Sequence, residues 1–270
     1  MTGDVFENPY DDPRVAALYD EDNGAGADHK HFRKVIDRAA ARTVADLGCG
    51  TGLLTVSLAR EGRTVYGIDP SPTMLAIARD RPGGERVRWR LGDGTMLPEL
   101  AADAAAGLDA AGRDAAGLDA VTMTGNVAQH IVGDAWPATL RAIAAALRPG
   151  GLVAFESRNP AARSWDSWNR ADTFGSRDTP FGPLTEWMDV TDIRQTGSYG
   201  GTVVTFAAHN VWSNPPEHQV LEETLQFRSQ AELTTDLAAA GLTVTDIDGG
   251  WHGEPVTDEA RVLVVTAVRD

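Results

Sequence analysis

The chain has 270 residues, of which 42% are apolar and 23% are charged, and this composition predicts one globular domain with room for an added segment. Its apolar runs are shorter than the roughly 18 residues of a membrane-spanning helix, so we expect no membrane partner. With 39 acidic against 24 basic residues, the net charge of −15 disfavours binding to nucleic acids. No basic and apolar leader opens the sequence and Cys49 is its single cysteine, so we expect a cytoplasmic protein.

The first part of the chain alternates between strand-like and helix-like segments. An apolar run from residue 44 ends in a glycine-rich turn, a β-branched run ends at Asp69, and Ser71 before a proline predicts a helix start. Strands are predicted from residue 44 and over residues 64–68, 87–91, 120–124 and 152–156, and helices over residues 53–60, 72–79 and 138–147. This alternation predicts a doubly wound parallel sheet with ligands at the carboxyl ends of the strands.

A low-complexity segment interrupts the alternation between residues 98 and 119. The sequence AAGLDA occurs at residues 105–110 and again at residues 115–120, with glycine and aspartate interleaved. We predict an exposed loop without chemistry in this segment. Removing residues 101–110 is then expected to leave the stability almost unchanged.

A second interruption follows the fifth predicted strand. Between residues 160 and 228 the helical pattern is replaced by strand-like segments, which predict an antiparallel cap. The predicted cap strands are residues 184–194, 202–212 and 219–227, followed by a helix over 231–240 and strands over 242–247 and 262–268. The last two strands have no helix between them, which favours a hairpin at the sheet edge.

These segments predict an α/β fold class. The expected fold is a doubly wound, mainly parallel seven-stranded sheet with an antiparallel edge strand, plus a small antiparallel β cap inserted after the fifth strand. We assign N-terminal lid helices to residues 1–42, a cofactor-binding domain to residues 43–157 and 229–270, and an acceptor-binding cap to residues 158–228.

The turn after the first strand carries glycine at positions 48, 50 and 52, where positive φ angles let the backbone approach a ligand closely. Asp69, which ends the second strand, can accept hydrogen bonds from both hydroxyls of a ribose, as an acidic residue does in dinucleotide-binding folds. A nicotinamide or flavin site is the alternative. Its G-x-G-x-x-G fingerprint would require glycine where Leu53 stands, so the spacing favours another nucleoside cofactor.

Four segments, VADLGCGTG, VYGIDPSPTML, LGDG and LRPGGLVAFE, resemble in order and spacing the motifs of class I S-adenosylmethionine-dependent methyltransferases. The resemblance implies S-adenosyl-L-methionine as the cofactor, with S-adenosyl-L-homocysteine as its product. It implies a cofactor site formed by Tyr19, Asp46, Gly48, Cys49, Gly50, Gly52, Asp69, Pro70, Met74, Gly92, Asp93, Gly94 and Asn126.

Within that set the resemblance implies particular roles. Asp69 would contact the ribose, Met74 the adenine face and Asp93 the adenine amine, while Asp46 and the glycine loop would lie near the methionine moiety. Tyr19 would come from a lid over the methionine end, although a half-buried packing role is the competing interpretation. The family commonly carries cysteine at the position of Cys49 as a small packing residue, so no catalytic thiol is expected there.

The acceptor side has fewer signals. His130 follows the fourth strand and could remove a proton from an acceptor, or could merely hydrogen-bond the backbone. The Asn-Pro-Pro-aromatic motif of DNA and glutamine methyltransferases is missing there, and Asn214-Pro215-Pro216 is interpreted as a turn. Candidates for the acceptor pocket are Gln129, Arg158, Asn159, Trp165, Trp187 and His209. Trp165 could instead seal the cap to the sheet, and the histidines show no metal-ligand spacing.

The sequence therefore predicts an enzyme that transfers a methyl group by direct in-line displacement to an O or N atom of a small-molecule metabolite. A cap of roughly seventy residues over the site favours an enclosed small acceptor. Alternatives are a protein or peptide amine as the acceptor, a cofactor-binding partner protein without turnover, and an oxidoreductase. Either a monomer or a homodimer fits the sequence.

Overall fold

A computed structural model describes residues 8–108, 117–196 and 201–270. Its α-helices are α1 (Pro13–Asp22), α2 (Ala27–Arg38), α3 (Leu53–Leu58), α4 (Pro72–Asp80), α5 (Leu97–Leu108), α6 (Val127–His130), α7 (Ala135–Ala146), α8 (Arg170–Thr173) and α9 (Gln230–Ala239). Its strands are β1 (Thr43–Leu47), β2 (Thr64–Asp69), β3 (Arg88–Leu91), β4 (Leu118–Met123), β5 (Leu147–Arg158), β6 (Gly175–Thr179), β7 (Gly182–Thr196), β8 (Gly201–Ser213), β9 (Pro216–Phe227), β10 (Leu242–Asp248) and β11 (Val262–Arg269). In these ranges no helix combines the length and apolar character needed to cross a bilayer.

The central sheet has seven strands in the order β10-β11-β5-β4-β1-β2-β3. Strands β1 to β5 pair in parallel, whereas β11 runs antiparallel to both β5 and β10. The predicted fold class is confirmed, and the β10–β11 hairpin forms one edge of the sheet. Because the strand order reverses between β1 and β4, a crevice forms outside their carboxyl ends.

Helices cover both faces of this sheet. On one face, buried residues of α5, α7 and α9, including Leu100, Leu140 and Leu237, pack against the strands. On the other face, Phe32 of α2 and Leu58 of α3 belong to a second buried cluster. Burial on both faces explains why β1 consists entirely of buried residues.

The predicted loop over residues 98–119 is wrong for its first half, because α5 continues to Leu108. Leu97, Leu100, Ala101 and Ala104 recur at helical spacing and are buried against the core. Alanine is the strongest helix former, and its frequency here outweighs the turn signals of the repeat. The remainder of the repeat between residues 109 and 116 lies outside the described residues, and Leu118 already belongs to β4.

The cap is a separate antiparallel sheet in the order β6-β7-β8-β9. Its strands β7, β8 and β9 contain the three predicted segments, whereas β6 was not predicted because its sequence GSRDT has low strand propensity. Pairing with β7 over five residue pairs extends β6 despite that sequence. One face of the cap buries Val204, Phe206 and Leu225.

Helix α1 connects the cap to the rest of the molecule. At its N-terminus Asp12 accepts a hydrogen bond from the backbone N–H of Arg14 at 2.7 Å, which caps the helix. The Arg14 guanidinium in turn donates to Glu217 of β9 at 2.8 Å. At the C-terminus of α1, Asp22 pairs with Arg177 of β6 at 2.6 Å. Both ends of α1 are therefore attached to the cap.

Candidate active site

Two neighbouring cavities lie outside the carboxyl ends of the central strands, beneath α1 and the cap. The first cavity has a volume of about 520 Å³ and the second about 570 Å³. Both volumes fall in the range of small-ligand sites. Tyr10, Tyr19, His130 and Glu223 line both cavities and form part of the boundary between them.

Asp69 is the central polar group of the first cavity. One of its carboxylate oxygens accepts a hydrogen bond from the Gly50 N–H at 2.8 Å, and the other accepts from the Ser71 N–H at 2.9 Å. Burial raises the pKa of Asp69 above its usual value, against the effect of these two bonds. Because a carboxylate oxygen has two lone pairs, each can still accept a bond from a ligand hydroxyl.

Four further predicted residues line the first cavity beside Asp69: Pro70, Met74, Asp93 and Gly94. Met74 is buried, and its position is set by the cap of α4, where the Ser71 hydroxyl accepts from the Met74 N–H at 3.2 Å. Asp93 uses one oxygen to accept bonds from Thr95 at 2.9 and 2.6 Å and stays exposed.

The glycine loop after β1 has positive φ angles at Gly48, Gly50 and Gly52. A side chain at Gly48 would overlap Val127, and one at Gly52 would meet the Trp89 ring at 2.6 Å. Glycine is therefore required at these two positions by packing as well as by backbone conformation. In the described structure Gly52 and Gly92 line neither cavity, so their contact with a ligand stays a prediction.

Asp46 lies at the end of β1, behind the glycine loop. Its two oxygens accept hydrogen bonds from the hydroxyls of Thr55 at 2.6 Å and Thr122 at 2.8 Å. Burial raises the pKa of Asp46 to about 6. These bonds join β1 to α3 and β4, so Asp46 supports the loop from within the core and is not part of the lining of either cavity in the described structure.

Cys49 lines the second cavity through the glycine loop and is buried. Burial, together with the charges of Asp69 and Asp46, raises the pKa of the thiol well above its usual value. A thiol is a poor nucleophile in that state, so the geometry favours the packing role.

The boundary between the cavities brings several titratable groups together. The ring of Tyr10 meets Tyr19 edge-on at 5.7 Å and lies 6.3 Å from the ring of His130. His130 Nδ1 is 3.8 Å from a carboxylate oxygen of Glu223. Desolvation in this recess, assisted by the positive charge of Arg158, lowers the pKa of His130 to about 4. Burial raises the pKa of Glu223 to about 7, although Arg158 opposes that shift.

The second cavity has a polar floor. Glu156, at the end of β5, accepts a hydrogen bond from the Asn126 N–H at 2.8 Å. Burial raises the pKa of Glu156 to about 8. In the described part of the chain, Glu156 Oε2 and Asn126 Oδ1 are buried polar atoms without a hydrogen-bond partner. A ligand with N–H or O–H donors would satisfy these atoms.

Its opposite wall is apolar and comes from the cap. The residues Trp168, Met188, Phe206, Ala208 and Leu225 all line the second cavity. Arg158 also lines this cavity. Its guanidinium is 5.6 Å from the Trp168 ring centroid and donates to the side-chain Oε1 of Gln129 at 3.1 Å. The cavity therefore suits an acceptor with both polar and apolar parts.

Several predicted acceptor residues lie elsewhere, which corrects their assignment to the pocket. Gln129 is fully buried behind Arg158. Asn159 caps a short 3-10 helix and donates to the Thr257 carbonyl at 3.0 Å. Trp165 is buried in the cap, edge-on to Phe227 at 4.7 Å, which agrees with the alternative interpretation that it is a packing residue of the cap.

Trp187 and His209 occupy the other face of the cap sheet. Their rings stack on each other at 4.6 Å, and their strand neighbours Met188 and Ala208 point into the second cavity. Successive side chains of a strand point to opposite faces, so Trp187 and His209 point away from the acceptor side. The sequence shows the alternation of side chains along the cap strands, but it does not show which face of the cap sheet lines the cavity.

Several residues that line the cavities were not predicted, among them Glu156, Tyr10 and Glu223. Glu156 carries a recognisable signal, because it is an acidic residue near the carboxyl end of a central strand. Tyr10 and Glu223 carry no such signal in the sequence. They come from the N-terminal segment and from the cap, and only the folded structure brings them together at the cavities.

Comparison with known proteins identifies the family. Residues 44–151 match the family described as a methyltransferase domain. The cypemycin N-terminal methyltransferase of Streptomyces sp is 30% identical over 233 residues, which cover 84% of this chain and 83% of that protein. This chain belongs to the S-adenosylmethionine-dependent methyltransferases. It is an enzyme of that class, and S-adenosylmethionine is its cofactor.

Other similar proteins and solved structures are also methyltransferases. The ubiquinone biosynthesis O-methyltransferase of Methylobacterium nodulans is 33% identical over 127 residues, or 46% of this chain and 44% of that protein. Among solved structures, the CcbJ methyltransferase of Streptomyces caelestis has a TM-score of 0.71 at 21% identity, with coverage of 98% and 100%. CalS10, an amino pentose methyltransferase of Micromonospora echinaspora, has a TM-score of 0.61 at 21% identity, covering both chains fully. At such identities the structures show a shared fold.

The residues of the methyltransferase fit the cofactor. The first cavity offers Asp69 with free lone pairs toward hydroxyls, and the buried side chain of Met74 for an adenine face. The glycine loop reaches both cavities at Gly48 and Gly50, so one elongated ligand can extend along it from the first cavity into the second. Glu156 and Asn126, which each have a buried side-chain oxygen without a partner, line the second cavity.

Proposed function

We propose that this methyltransferase transfers a methyl group to an O or N atom of a small-molecule acceptor bound in the second cavity. The observation that carries the proposal is the second cavity itself, which shares its boundary with the first cavity and has an apolar wall from the cap. The amino pentose methyltransferase CalS10 and the sugar N-methyltransferase KedS8 of Streptoalloteichus sp share the fold, which supports a small acceptor. The cytoplasmic location, the monomer or homodimer and the absence of a nucleic-acid partner stay predictions.

The cofactor residues follow from the same proposal. We assign the ribose hydroxyls to Asp69, the adenine face to Met74 and Pro70, and the adenine edge to Asp93 and Gly94. The methionine end would meet Tyr19, Gly48, Cys49, Gly50 and Asn126. When bound, the cofactor supplies an electrophilic methyl group on a positively charged sulfonium.

The protein's contribution to the rate is mainly orientation and exclusion of water. Holding an acceptor atom in line with the methyl group converts an encounter between two molecules into a step within one complex. Tyr10 and Tyr19 on the lid side and Trp168 and Phe206 on the cap side surround the reacting region with aromatic groups. An acceptor bound among these groups displaces water from the reacting region, which strengthens the electrostatic interactions there.

The transfer is tested with S-adenosylmethionine labelled in its methyl group. Purified enzyme is incubated with labelled cofactor and a cell extract, which is then split into small-molecule, protein and nucleic-acid fractions. Label in the small-molecule fraction is the expected result, and mass spectrometry then identifies the product. Label confined to protein or nucleic acid would contradict the proposal.

A peptide amine is the second candidate acceptor. It is favoured by one observation, the 30% identity to the cypemycin N-terminal methyltransferase over most of both chains. Label appearing in peptides of the extract would support this candidate. Binding of the cofactor in calorimetry without label in any fraction would instead favour a binding protein without turnover.

His130 is the predicted base, and its variant tests that role. His130→Ala is expected to reduce turnover by roughly 100-fold or more while leaving the cofactor dissociation constant unchanged, since general acid–base groups typically contribute about 10²–10⁴-fold. The imidazole is neutral at pH 7 because its pKa is lowered to about 4, so it can accept a hydrogen bond from the acceptor. An unaltered rate and pH profile would show that His130 has no part in the reaction.

A further inference from the structure

Glu223 is a carboxylate of the edge strand of the cap that points to the meeting point of the two cavities. Its side chain is 16% exposed, and it lines both cavities. Among the described residues, no hydrogen-bond donor contacts it, and the polar group beside it is His130 Nδ1 at 3.8 Å. A recessed carboxylate without a donor is unfavourable unless a ligand compensates it.

The neighbouring groups leave that compensation to a ligand. His130 is neutral at pH 7, and Tyr10 is a phenol whose pKa burial raises further, so neither supplies a positive charge. Arg158 lines the second cavity, and its positive charge offsets only part of the pKa increase that burial causes in Glu223. Its guanidinium donates to the Gln129 side chain and lies over the Trp168 ring. With a neutral hydroxyl, Arg158 would be the nearby positive charge and would offset the burial of Glu223 only partly, whereas an ammonium group adds a positive charge in direct contact with it.

We propose that the acceptor is a protonated amine and that Glu223 both binds its N–H groups and removes the proton that frees the nitrogen lone pair. This proposal rests on the proposed function, because it names the acceptor class of the second cavity. The apolar wall at Trp168, Met188 and Phe206 would hold the remainder of the amine.

The step balances in atoms and charge. The bound ammonium group gives one proton to a Glu223 oxygen, and its nitrogen then carries a lone pair. That lone pair forms the new nitrogen–carbon bond while the carbon–sulfur bond breaks and its electron pair stays on sulfur. The products are the methylated ammonium ion and S-adenosylhomocysteine, and Glu223 later releases its proton to water.

The proton affinities of the two candidate bases agree with this assignment. Burial raises the pKa of Glu223 to about 7, close to the pH at which a cell operates, whereas the pKa of His130 is lowered to about 4. A base is most effective when its pKa lies near the working pH. In this arrangement His130 accepts a second N–H of the amine and orients it.

The test uses sinefungin, a cofactor analogue that carries an ammonium group in place of the transferred methyl group. Calorimetry on the full chain compares sinefungin, S-adenosylmethionine and S-adenosylhomocysteine for wild type and Glu223→Gln. We expect the wild type to bind sinefungin at least tenfold more tightly than S-adenosylhomocysteine. In Glu223→Gln this advantage should fall below threefold, while affinities for the two natural cofactor forms change less than threefold.

Two further variants complete the comparison. Glu223→Asp retains the carboxylate and should keep part of the sinefungin advantage, and Glu259→Gln removes an exposed carboxylate outside the cavities and should keep all of it. Unchanged affinity for S-adenosylhomocysteine shows that Glu223→Gln is folded. If sinefungin has no advantage in the wild type, or if Glu223→Gln keeps it, the proposal is wrong.

Three results distinguish failure of this proposal from failure of the proposed function. If Glu223→Gln weakens S-adenosylmethionine as much as sinefungin, Glu223 serves the sulfonium and not an acceptor amine. A labelled small-molecule product methylated on oxygen would overturn the amine while leaving the proposed function intact. Absence of any small-molecule product would contradict the proposed function, whereas the sinefungin comparison still reports on Glu223.

Discussion

Replacing Asp69 by alanine is expected to weaken binding of S-adenosylmethionine by about 1.5–3 kcal/mol, roughly 10- to 150-fold in the dissociation constant. The variant removes the charged acceptor assigned to the ribose hydroxyls. It also removes the acceptor of the Gly50 and Ser71 N–H groups, so the glycine loop loses its tie to the end of β2. Isothermal titration calorimetry measures the change directly.

Two controls accompany this measurement. Asp69→Asn keeps the shape and one acceptor oxygen, so it should fall between wild type and Asp69→Ala. Asp258→Ala changes an exposed residue outside both cavities and should bind the cofactor as the wild type does. Equal affinity in wild type and Asp69→Ala would remove Asp69 from the cofactor site.

Leu100→Ala is expected to lower the free energy of unfolding by about 2–5 kcal/mol, because it opens a cavity beneath α5. Leu100 is 1% exposed and belongs to the cluster that joins α5 and α7 to the sheet. In a chain of this size the melting temperature should fall by roughly 5–15 °C. Calorimetric melting or denaturant titration provides the measurement.

The matched control is Leu91→Ala, because Leu91 is 54% exposed and its truncation leaves no buried cavity. Its effect should stay within about 0.5 kcal/mol. Because α5 packs against the core, removal of residues 101–108 is expected to destabilise the protein. The loop expected there from the sequence alone predicted almost no change in stability. If Leu100→Ala melts like the wild type, α5 does not pack against the core as described.

The misassignment of α5 has a definite physical cause. Gly, Asp and a short repeat are turn signals, but a local turn signal competes with helix propensity and with the gain from burial. Ala101 and Ala104 are small, so their burial against the core leaves little mark in a pattern based on large apolar residues. Burial against α7 was decided by the tertiary structure, which brings the two helices onto the same face of the sheet.

The candidate cofactor residues were accessible to sequence reasoning because they lie at successive strand ends. In a parallel sheet those ends meet at one edge, so short motifs around Gly48, Asp69 and Asp93 converge without further information. Asp46 shows the limit of this reasoning. It stands in the same motif, yet its side chain points back to Thr55 and Thr122, and only the tertiary structure distinguishes the two directions.

The candidate acceptor residues depended much more on the fold. Tyr10, His130 and Glu223 are far apart in sequence and belong to the N-terminal segment, to α6 and to β9. Trp187 and Met188 are neighbours in β7, and because successive side chains of a strand alternate, they lie on opposite faces of the cap sheet. A single sequence does not say which face of the cap is turned toward the sheet.

The sequence by itself therefore determined the fold class, the family and the cofactor, because local apolar periodicity and short glycine motifs encode strands, helices and backbone turns. Tertiary structure alone decided which side chains face the acceptor. That choice depends on how the cap lies across the sheet, held by contacts such as Arg14 with Glu217 and Asp22 with Arg177. Such contacts join residues separated by long stretches of chain, and no local pattern records them.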